Sequence, residues 1–196
     1  FIGNGRIQTF PHRTLENRCV MKQKQAAAIY DFASVLLTSI IAVAVIFTFF
    51  FKISTVNGDS MRNTLHNGDQ LIITAHDSDV KYGDIVIISQ PNAYNEVLVK
   101  RVIATGGQTV NIDGDTHEVS VDGVVLDEPY IREKTRLLGD AFTYPVTVPE
   151  GCVFVMGDNR NESGDSRYKA VGMIDERYIV GQAVYRIGDS SLLTRN

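Results

Sequence analysis

The sequence has few cysteines and histidines, the residues that cross-link small folds or bind metals. Among its 196 residues it has no tryptophan, two cysteines and four histidines. The histidines are His12, His66, His76 and His117. They lack the close spacing typical of metal ligands, so we predict no metal and no cofactor. Cys19 and Cys152 lie on either side of one long apolar segment, and if that segment spans a membrane they cannot pair.

The chain also lacks an excess of positive charge, because its formal net charge is −4. The residues before Ile53 include 6 basic and 2 acidic side chains, whereas those from Ile53 onward include 13 basic and 21 acidic ones. An acidic domain is poorly suited to the phosphate backbone of DNA or RNA. We therefore predict no nucleic-acid partner.

One apolar segment is long enough to cross a membrane. Phe32 to Phe51 are twenty residues without a charge, and an α-helix of that length spans about 30 Å, the thickness of a bilayer core. A buried core helix is one alternative, but such helices seldom stay uncharged for so long. A cleavable signal peptide is another, but no Ala-x-Ala site follows Phe51. We predict a transmembrane anchor over residues 31–52, in contact with membrane lipid.

The charges that flank the anchor predict its orientation. Basic residues outnumber acidic ones before the span, and positive charge next to a first span stays on the cytoplasmic side. We expect a single-pass protein of the cell membrane, with residues 1–30 cytoplasmic and residues 53–196 extracytoplasmic. Phe1 is not an initiator residue, and Met21 would make a sensible natural start, so we expect residues 1–20 to matter little for the structure.

After the anchor, short β-branched runs alternate with Gly, Asp and Asn, which is typical of strands and turns. No long soluble helix, fixed repeat or low-complexity linker is evident. The predicted strands are Gln70–Ala75, Asp84–Ser89, Val97–Thr105, Thr109–Asp113, Glu118–Asp122, Val146–Val148, Cys152–Met156 and Tyr178–Ile187. Hairpin turns at 113–115 and 122–123 predict a β-rich insert at about 111–149.

Ser60 and Lys100 form a candidate catalytic pair. A serine in a polar loop is usually structural, and a strand lysine often only protects a sheet edge. A buried lysine, however, can lose its charge and serve as base to a serine hydroxyl. Strand alternation places Lys100 on the same face as Leu98, Val102 and Ala104. Arg101, on the opposite face, is expected to be a strand-edge or surface charge.

The loop 157–167 alternates acidic residues and arginines after a short apolar run. A calcium site is disfavoured, because Arg160 occupies the second ligand position and Gly164 is displaced. Acids and arginines this close together predict charge-assisted hydrogen bonds that hold the loop in one shape. The residues around Ser60 also do not fit the Gly-x-Ser-x-Gly nucleophile elbow, because Arg62 stands at the second glycine position.

Four stretches in this order after one membrane span resemble the type I signal peptidases, the membrane-bound Ser/Lys-dyad leader peptidases of peptidase family S26. The matching stretches are Gly58-Asp59-Ser60-Met61 with Thr64-Leu65, Gly83-Asp84-Ile85-Val86, Lys100-Arg101-Val102-Ile103, and the loop from Gly157 to Arg167. The resemblance covers most of Val56 to Gly181. It implies a mainly β fold, with a catalytic core of coiled antiparallel sheets and a small hairpin-rich cap, preceded by one transmembrane helix.

The resemblance also assigns roles. It implies that Ser60 is the nucleophile, that Lys100 is the general base, and that Ser163 hydrogen-bonds and orients the lysine amine. The loop would be braced by Asp158, Arg160, Asp165 and Arg167. The implied activity is cleavage of signal peptides from exported pre-proteins, after small residues at positions −1 and −3, through an acyl-enzyme. A catalytically silent relative that acts as an assembly or binding factor is the alternative.

Three departures from the family pattern stand near these stretches. Asn63 replaces a usual proline, so the turn after the nucleophile is expected to be looser. Residues 104–108 differ from a Gly-Leu-Pro-Gly-Asp-like segment, and Asn161-Glu162 replaces a common Asp-Asn pair. Gly58 stands where some members carry a hydroxyl in the oxyanion hole, so a second donor must come from elsewhere.

Overall fold

The computed structural model describes residues 12–75, 80–137, 139–188 and 191–193. The chain divides into two compact units, Phe1–Thr48 and Phe49–Asn196. The predicted cytoplasmic segment lies partly outside the described residues, as do residues 76–79 with His76.

The described residues of the first unit all belong to one helix, α1 (His12–Phe50), which ends two residues into the second unit. Its section Met21–Thr48 is long and apolar enough to cross a membrane, and its large apolar side chains are exposed. The hydroxyls of Thr38 and Thr48 donate to carbonyls four residues earlier, at 2.9 and 2.8 Å, so that each polar group is satisfied within the helix. The helix extends beyond the predicted anchor at its N-terminal end and stops at Phe50, two residues before the predicted end.

The described part of the second unit contains twelve strands, all paired antiparallel. They are β1 (Phe51–Thr55), β2 (Gln70–Ala75), β3 (Ile85–Ile88), β4 (Leu98–Thr105), β5 (Thr109–Ile112), β6 (Val119–Val121), β7 (Val124–Val125), β8 (Val146–Thr147), β9 (Cys152–Met156), β10 (Ile174–Asp175), β11 (Ile179–Ile187) and β12 (Ser191–Leu192). Each of the eight predicted strands corresponds to one of these. The mainly β fold class is therefore confirmed.

The strands form two sheets. The larger has the order β1-β2-β11-β3-β4-β9-β10, with β12 paired to β11, and the smaller has the order β7-β6-β5-β8. The smaller sheet falls within the predicted insert, and Asp122 and Gly123 form its two-residue hairpin with φ of 51° and 80°, as a type I′ turn requires. Its apolar face packs on residues of β4 and β9, including Ile103 and Phe154.

The central strand β4 departs from simple alternation near its end. Its register with β9 shifts between Val102 and Ala104, as at a β-bulge. Leu98 and Val102 belong to one buried cluster, whereas Ile103 and Ala104 both belong to another. The prediction that Ala104 shares the face of Lys100 is therefore wrong, because the bulge reverses the alternation after Val102.

Candidate active site

Ser60 lies in the loop between β1 and β2, and two apolar neighbours hold that loop in place. Met61 and Leu65 are fully buried beside side chains of β2, β3 and β11. A tight turn forms around the serine, because the N–H of Arg62 donates to the Asp59 carbonyl at 2.9 Å. Burial of two large apolar side chains contributes roughly 3–6 kcal/mol to this anchoring, so the serine is presented from a loop fixed at the core.

Hydrogen bonds fix the same loop from other directions. The backbone N–H of Asn159 donates to the Ser60 carbonyl, and the Asn159 side chain donates to the Asp59 carbonyl, both at 3.0 Å. The N–H of Gly58 donates to the Asn67 side chain at 2.9 Å. Because that donor is engaged, Gly58 supplies no second oxyanion donor in this geometry.

Lys100 is the residue that the strand brings to the serine. It lies opposite Val86 of β3 and is only 2% exposed. Its Nζ atom is 2.7 Å from Ser60 Oγ and donates to the Val99 carbonyl at 3.1 Å. The predicted pair, forty residues apart in sequence, is therefore in direct contact.

Burial changes the chemistry of this lysine. Desolvation lowers the pKa of Lys100 from 10.5 to about 8; Asp165 opposes this change and Arg167 adds to it. A pKa of about 8 leaves roughly one amine in ten neutral at pH 7, against fewer than one in a thousand for an ordinary lysine. A neutral amine within hydrogen-bond distance of a hydroxyl can act as its general base.

Ser163 is close to the pair but is not bonded as the family resemblance implied. A Cβ on Gly157 would overlap Ser163 Oγ and the Ser60 carbonyl oxygen, so only glycine lets these residues approach so closely. The buried Ser163 hydroxyl lies near Asp165, where it contributes to the lowered pKa of that carboxyl, and Lys100 is not among its hydrogen-bond partners. The expected bond to Lys100 is absent from this geometry, in which the amine contacts Ser60 and the Val99 carbonyl instead.

Arg101 is a partner of the loop 157–167 rather than a surface charge. It is 7% exposed and forms two hydrogen bonds with Asp158, at 2.8 and 2.7 Å. Its guanidinium also stacks on Tyr130, 4.0 Å from the ring centroid. The prediction of an edge or surface charge is wrong, because the loop brings a buried carboxylate to this face of β4.

Asp165 and Arg167 form a pair within the loop, and both are fully buried. Arg167 donates to the two carboxylate oxygens at 2.7 and 2.8 Å, and Asp165 also accepts from the Gly157 N–H at 2.9 Å. Burial alone would raise the pKa of Asp165, but the Arg167 charge and hydrogen bonds hold it below its ordinary value. The predicted charge-assisted hydrogen bonds are therefore present, and they fix the residues next to Lys100.

Arg160 finds its partners outside the loop. Its guanidinium donates to both Glu128 carboxylate oxygens, at 2.9 and 2.6 Å, and to the Thr135 hydroxyl at 2.9 Å. Sequence reasoning missed Glu128 and Thr135, which lie in an irregular segment of the insert. The acidic residues next to Arg160 in the loop pointed to a partner within the loop, so no local signal identified Glu128.

The comparisons with known proteins agree with this geometry. Residues 29–187 match the family described as signal peptidase, peptidase S26. The chain belongs to this family. The predicted resemblance to type I signal peptidases is thus confirmed, and the members of this family are serine endopeptidases.

Two relatives give the same result, and one solved structure is also similar. The chain is 32% identical to "Signal peptidase I" of Bacillus amyloliquefaciens, covering 84% of this chain and 90% of the relative. It is 32% identical to "Signal peptidase I S" of Bacillus subtilis, covering 87% and 94%. A crystal structure of a signal peptidase I from Enterococcus faecalis aligns at 31% identity and a TM-score of 0.42, covering 53% of this chain and 96% of that one.

Two of the departures from the S26 pattern now have a structural account. Asn63 has a φ of 106°, a left-handed conformation that the ring of proline cannot adopt. Gly107 lies in a turn that joins β4 to β5, with φ of 82°, and Gln108 closes that turn by accepting from the Thr105 N–H at 2.9 Å. Neither departure changes a reacting atom.

A cavity of about 260 Å³ adjoins the Ser60–Lys100 pair. Its lining includes the apolar residues Val56, Met61 and Leu98, with the acidic Glu96 and Glu162 and the ring of Tyr94 also present. A cavity of this size can accept small side chains. The reacting pair therefore faces a small, partly apolar binding site.

Proposed function

We propose that this protein is a membrane-anchored endopeptidase that removes signal peptides from exported pre-proteins, with Ser60 as nucleophile and Lys100 as general base. The observation that carries the proposal is the 2.7 Å contact between Ser60 Oγ and the buried Lys100 amine. Membership of peptidase family S26 supports the substrate class.

The reaction follows from the positions of these atoms. The neutral Lys100 amine takes the proton from Ser60 as its oxygen attacks the scissile carbonyl, and the resulting ammonium then protonates the leaving amine. The regenerated amine next takes a proton from water, which attacks the acyl-enzyme; the ammonium returns that proton to the departing Ser60 oxygen, and the signal peptide is released. The backbone N–H of Ser60 stabilises the oxyanion.

The residues around the pair support this chemistry. Asp158, Arg160, Asp165 and Arg167 hold the loop that covers Lys100, and each is fully buried. Ser163 lies beside Gly157, next to the Ser60 carbonyl oxygen. It is proposed to orient the Lys100 amine during the reaction. The small cavity beside Ser60 suits the small residues at positions −1 and −3.

The topology belongs to the same proposal. The apolar section of α1 anchors the protein in the lipid bilayer, residues 1–30 face the cytoplasm, and residues 53–196 face outward, where exported substrates emerge. The excess of acidic residues from Ile53 onward argues against nucleic acid as a partner. Protease added to sealed, right-side-out cells should digest the second unit and spare the residues before Asp31.

A single experiment tests the activity. The detergent-solubilised protein is incubated with a pre-protein, and the products are analysed by mass spectrometry. We expect one cut, after the signal sequence, and no cut with Ser60→Ala. An intact pre-protein would instead support a catalytically silent relative that acts as a binding or assembly factor.

A further inference from the structure

Residues 127–136 form an irregular segment between β7 and β8 that contacts both loops of the active site. We call this segment the strap. The strap belongs to the insert, and within it the structure contains no helix or strand. Its position depends on its contacts with other parts of the domain.

On one side the strap contacts the loop that carries Ser163. Besides the bonds from Arg160 to Glu128 and Thr135, the Asn161 side chain accepts from the Arg136 N–H at 3.1 Å and donates to Glu133 at 2.9 Å. The Arg160–Glu128 pair joins a fully buried cation to a nearly buried carboxylate. The strap is therefore tightly fixed to this loop.

On the other side the strap contacts the loop that carries the nucleophile. The Asn63 side-chain N–H donates to the Tyr130 carbonyl at 3.1 Å. Asn63 is three residues after Ser60. Its φ of 106° is left-handed, a backbone conformation that the proline usual at this position cannot adopt. Asparagine tolerates this conformation better than most residues.

An open space lies between part of the strap and the nucleophile loop. A cavity of about 660 Å³ is lined by Asn63 and Thr64 from the loop and by Pro129 and Tyr130 from the strap. Where such a space separates two segments, a hydrogen bond between them sets their relative position. The bond from Asn63 is a contact of this kind.

We propose that the strap is a positioning element that supplements the direct hydrogen bonds from Asn159 to the Ser60 loop, and that Asn63 is the positioning residue through which the strap acts on the nucleophile. The inference rests on the proposed peptidase function. The amide of Asn63 thereby replaces, by a hydrogen bond to another segment, the rigidity that proline gives to related chains.

Two substitutions separate the hydrogen bond from the backbone conformation. Asn63→Asp keeps the size of the side chain but removes the N–H donor, and Asn63→Gly keeps the left-handed conformation but removes the side chain. We expect both to lower kcat about 10- to 100-fold, since small displacements of a nucleophile have effects of this size. KM should change less than about twofold, and the unfolding temperature should stay the same because Asn63 is exposed.

The measurements are steady-state cleavage of a pre-protein, the single-turnover rate of Ser60 acylation, and thermal unfolding. Arg132→Ala is the matched control, because Arg132 is an exposed strap residue for which the described part of the chain shows no bond to either loop. It should cleave like the unaltered protein. The acylation rate should fall in the two Asn63 variants and not in the control.

Four results would overturn the inference. They are unchanged kcat in Asn63→Asp, full activity in Asn63→Gly, an equal loss in Arg132→Ala, and a loss explained by unfolding. If the unaltered protein showed no Ser60-dependent cleavage, the proposed function would fail and the inference with it. If Ser60→Ala were inactive while both Asn63 variants were normal, only the role of the strap would be wrong.

Discussion

The two units of this protein place apolar and charged side chains in opposite ways. In α1 the large apolar side chains are exposed, whereas in the β domain Asp158, Arg160, Asp165 and Arg167 are fully buried. An exposed apolar surface about 30 Å long is compatible with a single-pass membrane anchor. Buried charges need partners, and here the partners hold the loop 157–167 in place beside Lys100.

The difference shows which part of the chain carries stability and which carries function. An apolar helix gains free energy simply by entering the bilayer. Lys100, in contrast, is buried although its charge is costly to desolvate, and among the described residues no salt bridge to it is formed within 4 Å. A buried charge without a close partner of opposite sign is expected at a site where a perturbed pKa serves the reaction.

The largest effect is expected when this buried amine is removed. Lys100→Met retains an unbranched side chain but no base, so cleavage should fall about 10⁴-fold or more. Lys100→Arg should also be inactive, because arginine stays protonated. The measurement is the single-turnover rate on a pre-protein, and near-normal turnover in either variant would contradict the dyad.

Lys100→Met should also be more stable than the unaltered protein at neutral pH. Folding lowers the pKa of Lys100 from 10.5 to about 8, so the folded state disfavours the charged form. This disadvantage, about 3 kcal/mol, is fully present below pH 8 and disappears as the pH rises from about 8 to 10.5. Urea unfolding of Lys100→Met should show a gain of up to about that size at pH 7 and none near pH 11.

The second effect concerns the buried charge pairs. Asp165→Asn leaves the fully buried Arg167 without its carboxylate, so the free energy of unfolding should fall by about 3–5 kcal/mol. Asp140→Asn is the matched control, because Asp140 pairs with Lys169 at 3.1 Å with both side chains more than half exposed. Its effect should be below about 1 kcal/mol. Equal losses in the two variants, measured by urea unfolding, would mean that burial does not distinguish these pairs.

Much of the fold could be predicted from sequence because its signals are local. The eight predicted strands have β-branched runs bounded by turn residues, and the Asp122-Gly123 hairpin has a turn type that its residues favour. The unpredicted strands β7, β10 and β12 have only two residues each, which is too short for an alternating pattern. The end of β1 next to α1 was assigned to the anchor because Phe51 is as apolar as the helix before it.

The residue chemistry of Ser60, Lys100 and the charged loop suggested the site, and resemblance to known family stretches assigned the roles. Ser60, Lys100 and the loop arginines were found in that way, but their partners were not. Glu128 reaches Arg160 from thirty-two residues away, and Arg101 was misassigned because strand alternation says nothing about a carboxylate brought in by another loop. Long-range pairing of charges has no local sequence signal.

The third effect tests the exposed apolar surface of the helix. Ala42→Arg places a charge in the middle of the apolar segment, and insertion of such a charge costs about 2.5–3.5 kcal/mol. The fraction of protein that sediments with membranes should fall. Ala26→Arg, which lies outside the predicted anchor 31–52, should sediment normally. A similar loss in both variants would place the anchor nearer the N-terminal end of α1.

The smallest effect is the pH dependence of the cleavage rate. Only the neutral form of Lys100 accepts the serine proton, and with a pKa of about 8 its neutral fraction rises roughly tenfold between pH 7 and pH 9. The rate with chemistry limiting should therefore rise about tenfold over this interval and level off above it. An ordinary lysine would give a rise of about a hundredfold with no levelling before pH 10. An activating pKa near 10.5 in a pH–rate profile would show that Lys100 is not desolvated in the working enzyme, even if Ser60→Ala were inactive.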